Sequence, residues 1–221
     1  MLNLFFPKVC EACHGILKDN EVLICISCRH QLPVTNFHFE NSDRVKKILY
    51  GRVQLECATA LLYFSKKSIV QELLHNLKYR NHEDISTFFG EWLGAELKEV
   101  KAYKAIDVVV PVPLFKTKLR KRGYNQVAEF GKAIAKALGI DYNDTVLIKI
   151  KPTKTKVFAG RTGRYNDNAV FGLSNTTVLS GKHILLVDDI ITTGSTVEAC
   201  ANELLKINNI KLSLATMAIV D

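Results

Sequence analysis

The feature that most constrains this chain is a stretch near its C-terminus, residues 184–196, in which an apolar run leads into two acids and a hydroxyl-rich loop. The four apolar residues 184–187 predict a strand that is buried on both faces, as in a parallel sheet. Asp188 and Asp189 follow at the end of that strand, and the apolar spacing of residues 197–207 predicts a helix after the loop. The stretch therefore predicts a strand–loop–helix unit of an α/β fold with a doubly wound parallel sheet.

The loop between this strand and this helix has the composition of a phosphate site. A strand–loop–helix turn directs unpaired backbone N–H groups and the positive end of the helix dipole at one point. Gly194 permits close approach of a ligand, and four hydroxyl side chains add hydrogen-bond donors: Thr192, Thr193, Ser195 and Thr196. The two acids disfavour a phosphate but suit sugar hydroxyls or a hydrated Mg2+ ion. A phosphate at one end and vicinal hydroxyls at the other describe a ribose 5-phosphate.

These thirteen residues resemble the 5-phosphoribosyl 1-pyrophosphate (PRPP) motif of type I phosphoribosyltransferases, which has four apolar residues, two acids, two apolar residues and then Thr-Thr-Gly-Ser-Thr. The resemblance implies that Asp188 and Asp189 hold the ribose 2- and 3-hydroxyls at the catalytic centre. It also implies that residues 192–196 hold the 5-phosphate. A generic α/β strand that ends in Asp-Asp is the alternative, because several phosphotransfer folds share that pattern. Agreement at all thirteen positions favours the PRPP motif.

Four of the six cysteines lie near the N-terminus in the spacing Cys-x2-Cys-x11-Cys-x2-Cys, at Cys10, Cys13, Cys25 and Cys28. Two pairs at this spacing suit a structural zinc ion, since four thiolates leave no open ligand position. Disulfide bonds are the alternative, and the absence of a recognisable secretory signal favours zinc. We therefore predict a four-cysteine zinc-binding module at residues 1–35, a connecting segment at 36–56, and a phosphoribosyltransferase-like domain at 57–221.

Apolar periodicity predicts the remaining elements of the domain. Strands are expected at residues 58–64, 106–113, 145–150 and 212–220, and helices at 69–79, 84–100 and 127–138. Two prolines end the strand at 106–113. Segment 36–56 shows little periodicity.

The basic residues are concentrated in two segments. Residues 116–122 hold five Lys or Arg, and residues 149–164 hold six and no acid, in a chain with a formal charge of +8. A solvated basic face that aids solubility is one interpretation. The other is a surface for a polyanion such as pyrophosphate, a nucleotide or a nucleic-acid backbone.

The first basic segment follows the strand at 106–113, whose carboxyl end faces the same crevice as the Asp188 loop. Phosphoribosyltransferases, which the motif resembles, have their pyrophosphate loop at this place, so the resemblance implies that Arg120 and Arg122 bind pyrophosphate. It also implies that the long segment 151–173 is the hood that covers PRPP, with Arg161 and Arg164 in it.

Three further motifs narrow the resemblance to the ComF family (competence protein F): Leu77-Lys78-Tyr79, Val112-Pro113-Leu114 and Arg122-Gly123-Tyr124-Asn125-Gln126. Together with the N-terminal cysteines, they cover nearly the whole chain. The resemblance implies a zinc module before a phosphoribosyltransferase domain and a role in natural competence and DNA uptake. It also implies a competence helicase or other DNA-processing proteins as partners. The concentrated basic charge favours binding of single-stranded DNA. The family pattern has a Gln in the hood that segment 151–173 lacks, so the acceptor substrate stays open.

Two classes of function follow from these observations. One is a phosphoribosyltransferase that displaces pyrophosphate from PRPP with the help of Mg2+, for which a metabolic amidophosphoribosyltransferase-like enzyme is one version. The other is a non-catalytic nucleic-acid-binding or regulatory protein on the same fold. No apolar run approaches the length that crosses a bilayer. We therefore expect a cytoplasmic protein without membrane insertion.

Overall fold

A computed structural model describes residues 7–152 and 170–220. Its central element is a five-stranded parallel sheet with the strand order β1-β7-β6-β2-β3. The strands are β1 (Ala58–Phe64), β2 (Val108–Pro111), β3 (Asp141–Tyr142), β6 (His183–Ile191) and β7 (Lys211–Val220). Two short strands, β4 (Leu147–Lys149) and β5 (Phe171–Leu173), form a separate antiparallel pair. The predicted α/β class with a parallel sheet is confirmed.

Helices cover both faces of the sheet. They are α1 (Ile26–His30), α2 (Phe37–Glu40), α3 (Arg44–Ile48), α4 (Ile69–Tyr79), α5 (Asp84–Glu99), α6 (Lys116–Arg122), α7 (Ala128–Leu138) and α8 (Ser195–Leu204). In the described part of the chain, none of these helices has the length and apolar character needed to span a membrane.

Strand β6 is buried on both faces, which explains its nearly continuous apolar sequence. Leu185 and Val187 pack with the core that includes α4, α5 and α7. Ile184 and Leu186 pack on the opposite face with the core that includes α8. Because successive side chains of a strand point to opposite faces, the two acids that follow also face different surroundings.

Three segments differ from their predicted form. Residues 145–150 do not join the central sheet as a third strand, because β4 pairs antiparallel with β5, and β3 takes the edge beside β2. The basic run 116–122 is a helix, α6, which ends at Gly123 with a φ of 88°. Segment 36–56 contains α2 and α3, whose apolar side chains Phe37, Val45 and Leu49 are buried against the sheet. These contacts stabilise helices α2 and α3, which are too short to show an apolar period in the sequence.

The described residues of the N-terminal segment pack on helices α4 and α5. Cys10, Ile24 and Cys28 are buried in the same core as residues of α4, and Asn76 Nδ2 donates a hydrogen bond of 2.9 Å to the Glu11 carbonyl. The guanidinium group of Arg29 lies 5.5 Å from the ring centroid of Trp92. The division of the chain into residues 1–35, 36–56 and 57–221 stays a prediction. The contacts above describe how the N-terminal residues pack on helices of the third part.

Helices α5 and α7 approach closely because glycine faces the contact. A Cβ atom at Gly90 would lie 2.6 Å from the Phe130 carbonyl oxygen and 2.8 Å from the Ala133 Cβ. Nearby, Ser86 Oγ donates a hydrogen bond of 2.6 Å to the Gln126 carbonyl and accepts one of 2.9 Å from the Phe130 N–H. These contacts fix the position of α7 relative to α5 and thereby place Gln126 at the carboxyl end of the sheet.

We expect Gly90→Ala to lower the free energy of unfolding by about 1–3 kcal/mol, because the added methyl group has no room in this contact. Intrinsic helix propensity alone gives the opposite sign, since alanine is preferred over glycine by about 1 kcal/mol. Chemical denaturation measures the difference. Glu91→Ala, at the next and exposed position, is the control, and a more stable Gly90→Ala protein would contradict the close packing.

Candidate functional site

Strand β6 delivers both acids of the predicted PRPP motif to the carboxyl edge of the sheet. Asp188 and Asp189 are 7% and 6% exposed. The side chain of Asp189 points toward α4 and α7, where its carboxylate meets Lys78 and Gln126. Asp188 lies on the other face, where Lys149 is among the charges that influence it. The two carboxylates therefore have different surroundings although they are adjacent in sequence.

Asp189 is engaged by two donors. Lys78 Nζ lies 2.8 Å from Asp189 Oδ2, and Gln126 Nε2 donates a hydrogen bond of 2.9 Å to the same oxygen. Gln126 in turn accepts a hydrogen bond from the Arg122 guanidinium. A continuous set of polar contacts therefore connects the basic helix α6 to the carboxylate.

Sequence analysis did not assign Lys78 and Gln126 to the site. Both residues belong to motifs that carried the family resemblance, Leu77-Lys78-Tyr79 and Arg122–Gln126. Those motifs were the available signal in the sequence. Gln126 and Asp189 are 63 residues apart in the chain, however, and the sequence does not show that they are in contact. The fold alone brings them together.

The surroundings of Asp188 act on its pKa. Burial raises the pKa of its carboxyl above the ordinary value, and the charge of Asp189 raises it further, while Lys78 and Lys149 offset part of the shift. Its Oδ1 accepts a hydrogen bond of 2.8 Å from the Asp189 N–H. Hydroxyl groups or metal-bound water from a ligand would supply further donors, and these would favour the ionised form.

The loop after β6 presents its hydroxyl groups outward. Thr192, Thr193, Ser195 and Thr196 are all exposed, and Gly194 between them is buried with a φ of 76°. Helix α8 starts directly after Gly194 and is ten residues long. The unpaired N–H groups at the start of this helix adjoin the exposed hydroxyl residues in sequence, an arrangement that suits an anion.

Segment 36–56 supports this loop from beneath. A Cβ atom at position 194 would lie 2.7 Å from Leu49 Cδ2, and the φ of 76° would strain any residue other than glycine there. Arg52 donates a hydrogen bond of 2.9 Å to the Thr193 carbonyl and forms an ion pair of 2.7 Å with Glu198 on α8. It also donates to the Ile48 carbonyl. Arg52 thereby joins the loop, the helix and segment 36–56, a role that no sequence signal indicated.

The two arginines of α6 that were predicted to bind pyrophosphate have different surroundings. Arg122 contacts Gln126 at the edge of the carboxylate site, whereas Arg120 is exposed on α6. Asn125 anchors the turn after α6, since its Nδ2 donates a hydrogen bond of 3.1 Å to the Val112 carbonyl at the end of β2. Arg161 and Arg164 lie outside the described residues.

The four N-terminal cysteines converge on one point. Their Sγ atoms all lie within 4.8 Å of one another, and those of Cys13 and Cys25 are 3.8 Å apart. Tetrahedral Zn–S bonds of about 2.3 Å require sulfur atoms about 3.8 Å apart, so the cluster fits a tetrahedral metal.

Backbone N–H groups surround the cluster as they do around metal-bound thiolates. The N–H groups of Ala12 and Cys25 donate to Cys10 Sγ at 3.4 and 3.3 Å. Burial raises the pKa of the Cys10 thiol, but hydrogen bonds from Cys25, Cys13 and Ala12 outweigh it and bring the pKa to about 7. Burial and the neighbouring thiols raise the pKa of Cys28. One thiol is thus already disposed to ionise, which metal ligation requires of all four.

Comparison with known proteins defines the class. Residues 127–221 match the model of the phosphoribosyl transferase domain family. This range contains β6, the loop after it and α8. The C-terminal part of the chain is therefore similar to phosphoribosyltransferase domains.

Comparison with individual proteins narrows the class of protein further. The chain is 28% identical over 202 residues to DNA utilization protein YhgH of Escherichia coli O157:H7, covering 90% of this chain and 84% of the relative. It is 24% identical over 219 residues to competence protein F of Haemophilus influenzae, with 94% of each chain covered. Competence protein ComFC of Bacillus subtilis is 26% identical over 202 residues, with 90% of this chain and 78% of the relative covered. The chain is a homologue of these competence and DNA-utilization proteins, which confirms the resemblance.

We expect the purified chain to carry one tightly bound metal ion per molecule, because the four thiols already have tetrahedral spacing. Cys13→Ser should remove the metal and lower the thermal midpoint, since Cys10 and Cys28 belong to the main core. Elemental analysis and calorimetry measure both effects. Cys200→Ser is the control for the metal content, since Cys200 is a cysteine outside the cluster. Absence of metal together with loss of four free thiols would indicate disulfide bonds instead.

Proposed function

We propose that this chain binds PRPP at the carboxyl end of β6 and acts in natural competence, where it handles single-stranded DNA. The observation that carries the proposal is the complete motif 184–196, folded so that two buried carboxylates and a hydroxyl-lined helix start lie at one edge of the sheet. The names of the homologues support the biological role.

In this proposal each group has one task. The loop residues 192–196 and the start of α8 bind the 5-phosphate, while Asp188 and Asp189 accept hydrogen bonds from the ribose hydroxyls. Arg120 and Arg122 bind the pyrophosphate, whose charge Mg2+ also neutralises when it is bound. Carboxylate oxygens are suitable ligands for that ion.

If the protein turns over, a nitrogen nucleophile forms a bond to C1 of the ribose as the bond from C1 to the pyrophosphate oxygen breaks. The pyrophosphate leaves with the electron pair of that bond, and the nucleophile loses its proton to solvent or a base. Positive charge develops on the ribose, and the two carboxylates offset it. A nucleic-acid-binding protein that keeps PRPP as a regulatory ligand uses the same contacts without the bond change.

The remaining parts of the proposal concern metal, location and partners. Zinc is our assignment for the four-cysteine cluster, where its role is structural because the four thiolates complete its shell. We place the protein in the cytoplasm, where imported single strands and competence DNA-processing proteins such as a helicase would meet it. The net charge of +8 and the exposed helix α6 favour contact with a nucleic-acid backbone.

Replacing both carboxylates, in Asp188→Ala with Asp189→Ala, should weaken PRPP binding by at least about a hundredfold, because hydrogen bonds to charged groups contribute about 1.5–3 kcal/mol each. Calorimetric titration with PRPP in the presence and absence of Mg2+ measures the loss. DNA binding should survive, since the basic helix is unchanged. Asp144→Ala, an exposed acid elsewhere in the chain, is the control, and wild-type affinity in the double variant would remove these acids from the site.

Arg52→Ala should weaken binding of ribose 5-phosphate by about tenfold, since it removes the charge-assisted contacts that hold the loop and α8 together. Inorganic pyrophosphate should bind as before, because Arg52 supports only the 5-phosphate end of the site. Lys47→Ala removes an exposed charge from the same segment and serves as the control. An equal loss for both ligands would show a general structural effect rather than a role in loop position.

A further inference from the structure

A cationic cavity lies beside the carboxylate site. It has a volume of about 240 Å³, and the described residues that line it are Lys78, Tyr79, Asn81, Lys118, Lys121 and Arg122. Four of these six side chains are basic and the other two are neutral, so the cavity favours an anion. Two helices form it, since Lys78 and Tyr79 end α4 and the other basic residues belong to α6.

One wall of this cavity is aromatic. Tyr79 is 70% exposed, whereas Leu77, two positions earlier on α4, is buried. The Arg122 guanidinium lies 5.7 Å from its ring centroid, and the ring of His75 lies 5.1 Å away at an angle of 43°. Beside these two contacts Tyr79 remains largely exposed, so its ring can receive a planar group, and the neighbouring cation strengthens such contacts.

We infer that this cavity is a binding site for one nucleotide unit of single-stranded DNA. The unpaired base stacks on Tyr79, and the flanking phosphates contact Lys118 and Lys121. Aromatic faces next to basic side chains are the usual means of binding single strands without sequence preference. A base-paired duplex keeps its bases stacked inside and cannot use the tyrosine. The inference rests on the proposed function, to which it adds the location and the chemistry of the DNA contact.

This site also touches the PRPP site through shared basic residues. Lys78 lines the cavity and pairs with Asp189 at 2.8 Å, and Arg122 lines the cavity and contacts Gln126. PRPP has a pyrophosphate but no base, so its binding does not require the tyrosine ring. The tyrosine therefore separates the two ligands experimentally.

Fluorescence anisotropy with a labelled oligo-dT and with an abasic strand of the same length tests the inference on the full-length, metal-loaded protein. Tyr79→Ala should weaken oligo-dT binding by roughly fivefold to 150-fold, the range that base–aromatic stacking provides. Tyr79→Phe should bind as wild type, and the abasic strand should bind weakly and equally to all three proteins. Tyr50→Ala is the matched control, since Tyr50 is 87% exposed and lies outside this cavity.

The salt dependence supplies an independent measurement. Tyr79→Ala should leave the slope of log affinity against log salt unchanged, because stacking releases no counterions. Lys118→Ala with Lys121→Ala should reduce the slope by about 1.4, since a single strand loses about 0.7 for each phosphate contact. The two kinds of variant thus separate stacking from charge.

Three outcomes would overturn the inference. Oligo-dT binding that is insensitive to Tyr79→Ala places the DNA elsewhere and leaves the proposed function intact. An equal loss of PRPP and oligo-dT affinity in Tyr79→Ala assigns the cavity to PRPP. A wild-type protein that binds PRPP but no oligonucleotide removes both this site and the DNA part of the proposed function.

Discussion

The burial of two adjacent carboxylates at the end of β6 is the constraint on which the rest of the site depends. A carboxylate in a protein interior requires compensation by cations or hydrogen-bond donors. The chain compensates Asp189 with Lys78 from α4 and Gln126 from the segment just before α7. Within the described residues, Asp188 has a backbone donor and a raised pKa. The two acids are therefore compensated differently, Asp189 by two side chains from distant parts of the chain and Asp188 by the backbone.

The contact with Gln126 links the site to the packing of the domain. Gln126 precedes α7, and α7 lies close to α5 because Gly90 leaves room for its backbone. Ser86 on α5 ties this position further by a hydrogen bond to the Gln126 carbonyl. The distance between two helices on one face of the sheet thereby determines whether the amide of Gln126 reaches Asp189. On the opposite side, Leu49 and Arg52 contact the loop of residues 192–196 in the corresponding way.

The basic residues near the carboxylates form two groups that differ in their exposure to solvent. Lys78 and Arg122 are partly withdrawn and act within the carboxylate network, whereas Lys118, Arg120 and Lys121 stand exposed on α6. Exposed lysines lose little hydration and attract a polyanion over a distance set by the ionic strength. Partly buried cations act at short range and on defined partners. Under the proposed function, this division would let one basic helix contact both a small phosphorylated sugar and a longer nucleic-acid strand.

The sequence by itself determined the parts that depend on local pattern. Apolar runs predicted β1, β6 and β7 and the helices α4, α5 and α7 to within a few residues, and the spacing of four cysteines predicted their cluster. The PRPP motif located Asp188, Asp189 and the loop 192–196, because all of these residues are contiguous. Only the tertiary structure decided that Lys78 and Gln126 contact Asp189 and that Arg52 contacts the loop 192–196. It also decided that residues 145–150 lie outside the central sheet and that α6 and Tyr79 line one cavity. Those contacts join residues far apart in the chain, and local periodicity carries no information about which distant surfaces the packing of the core brings together.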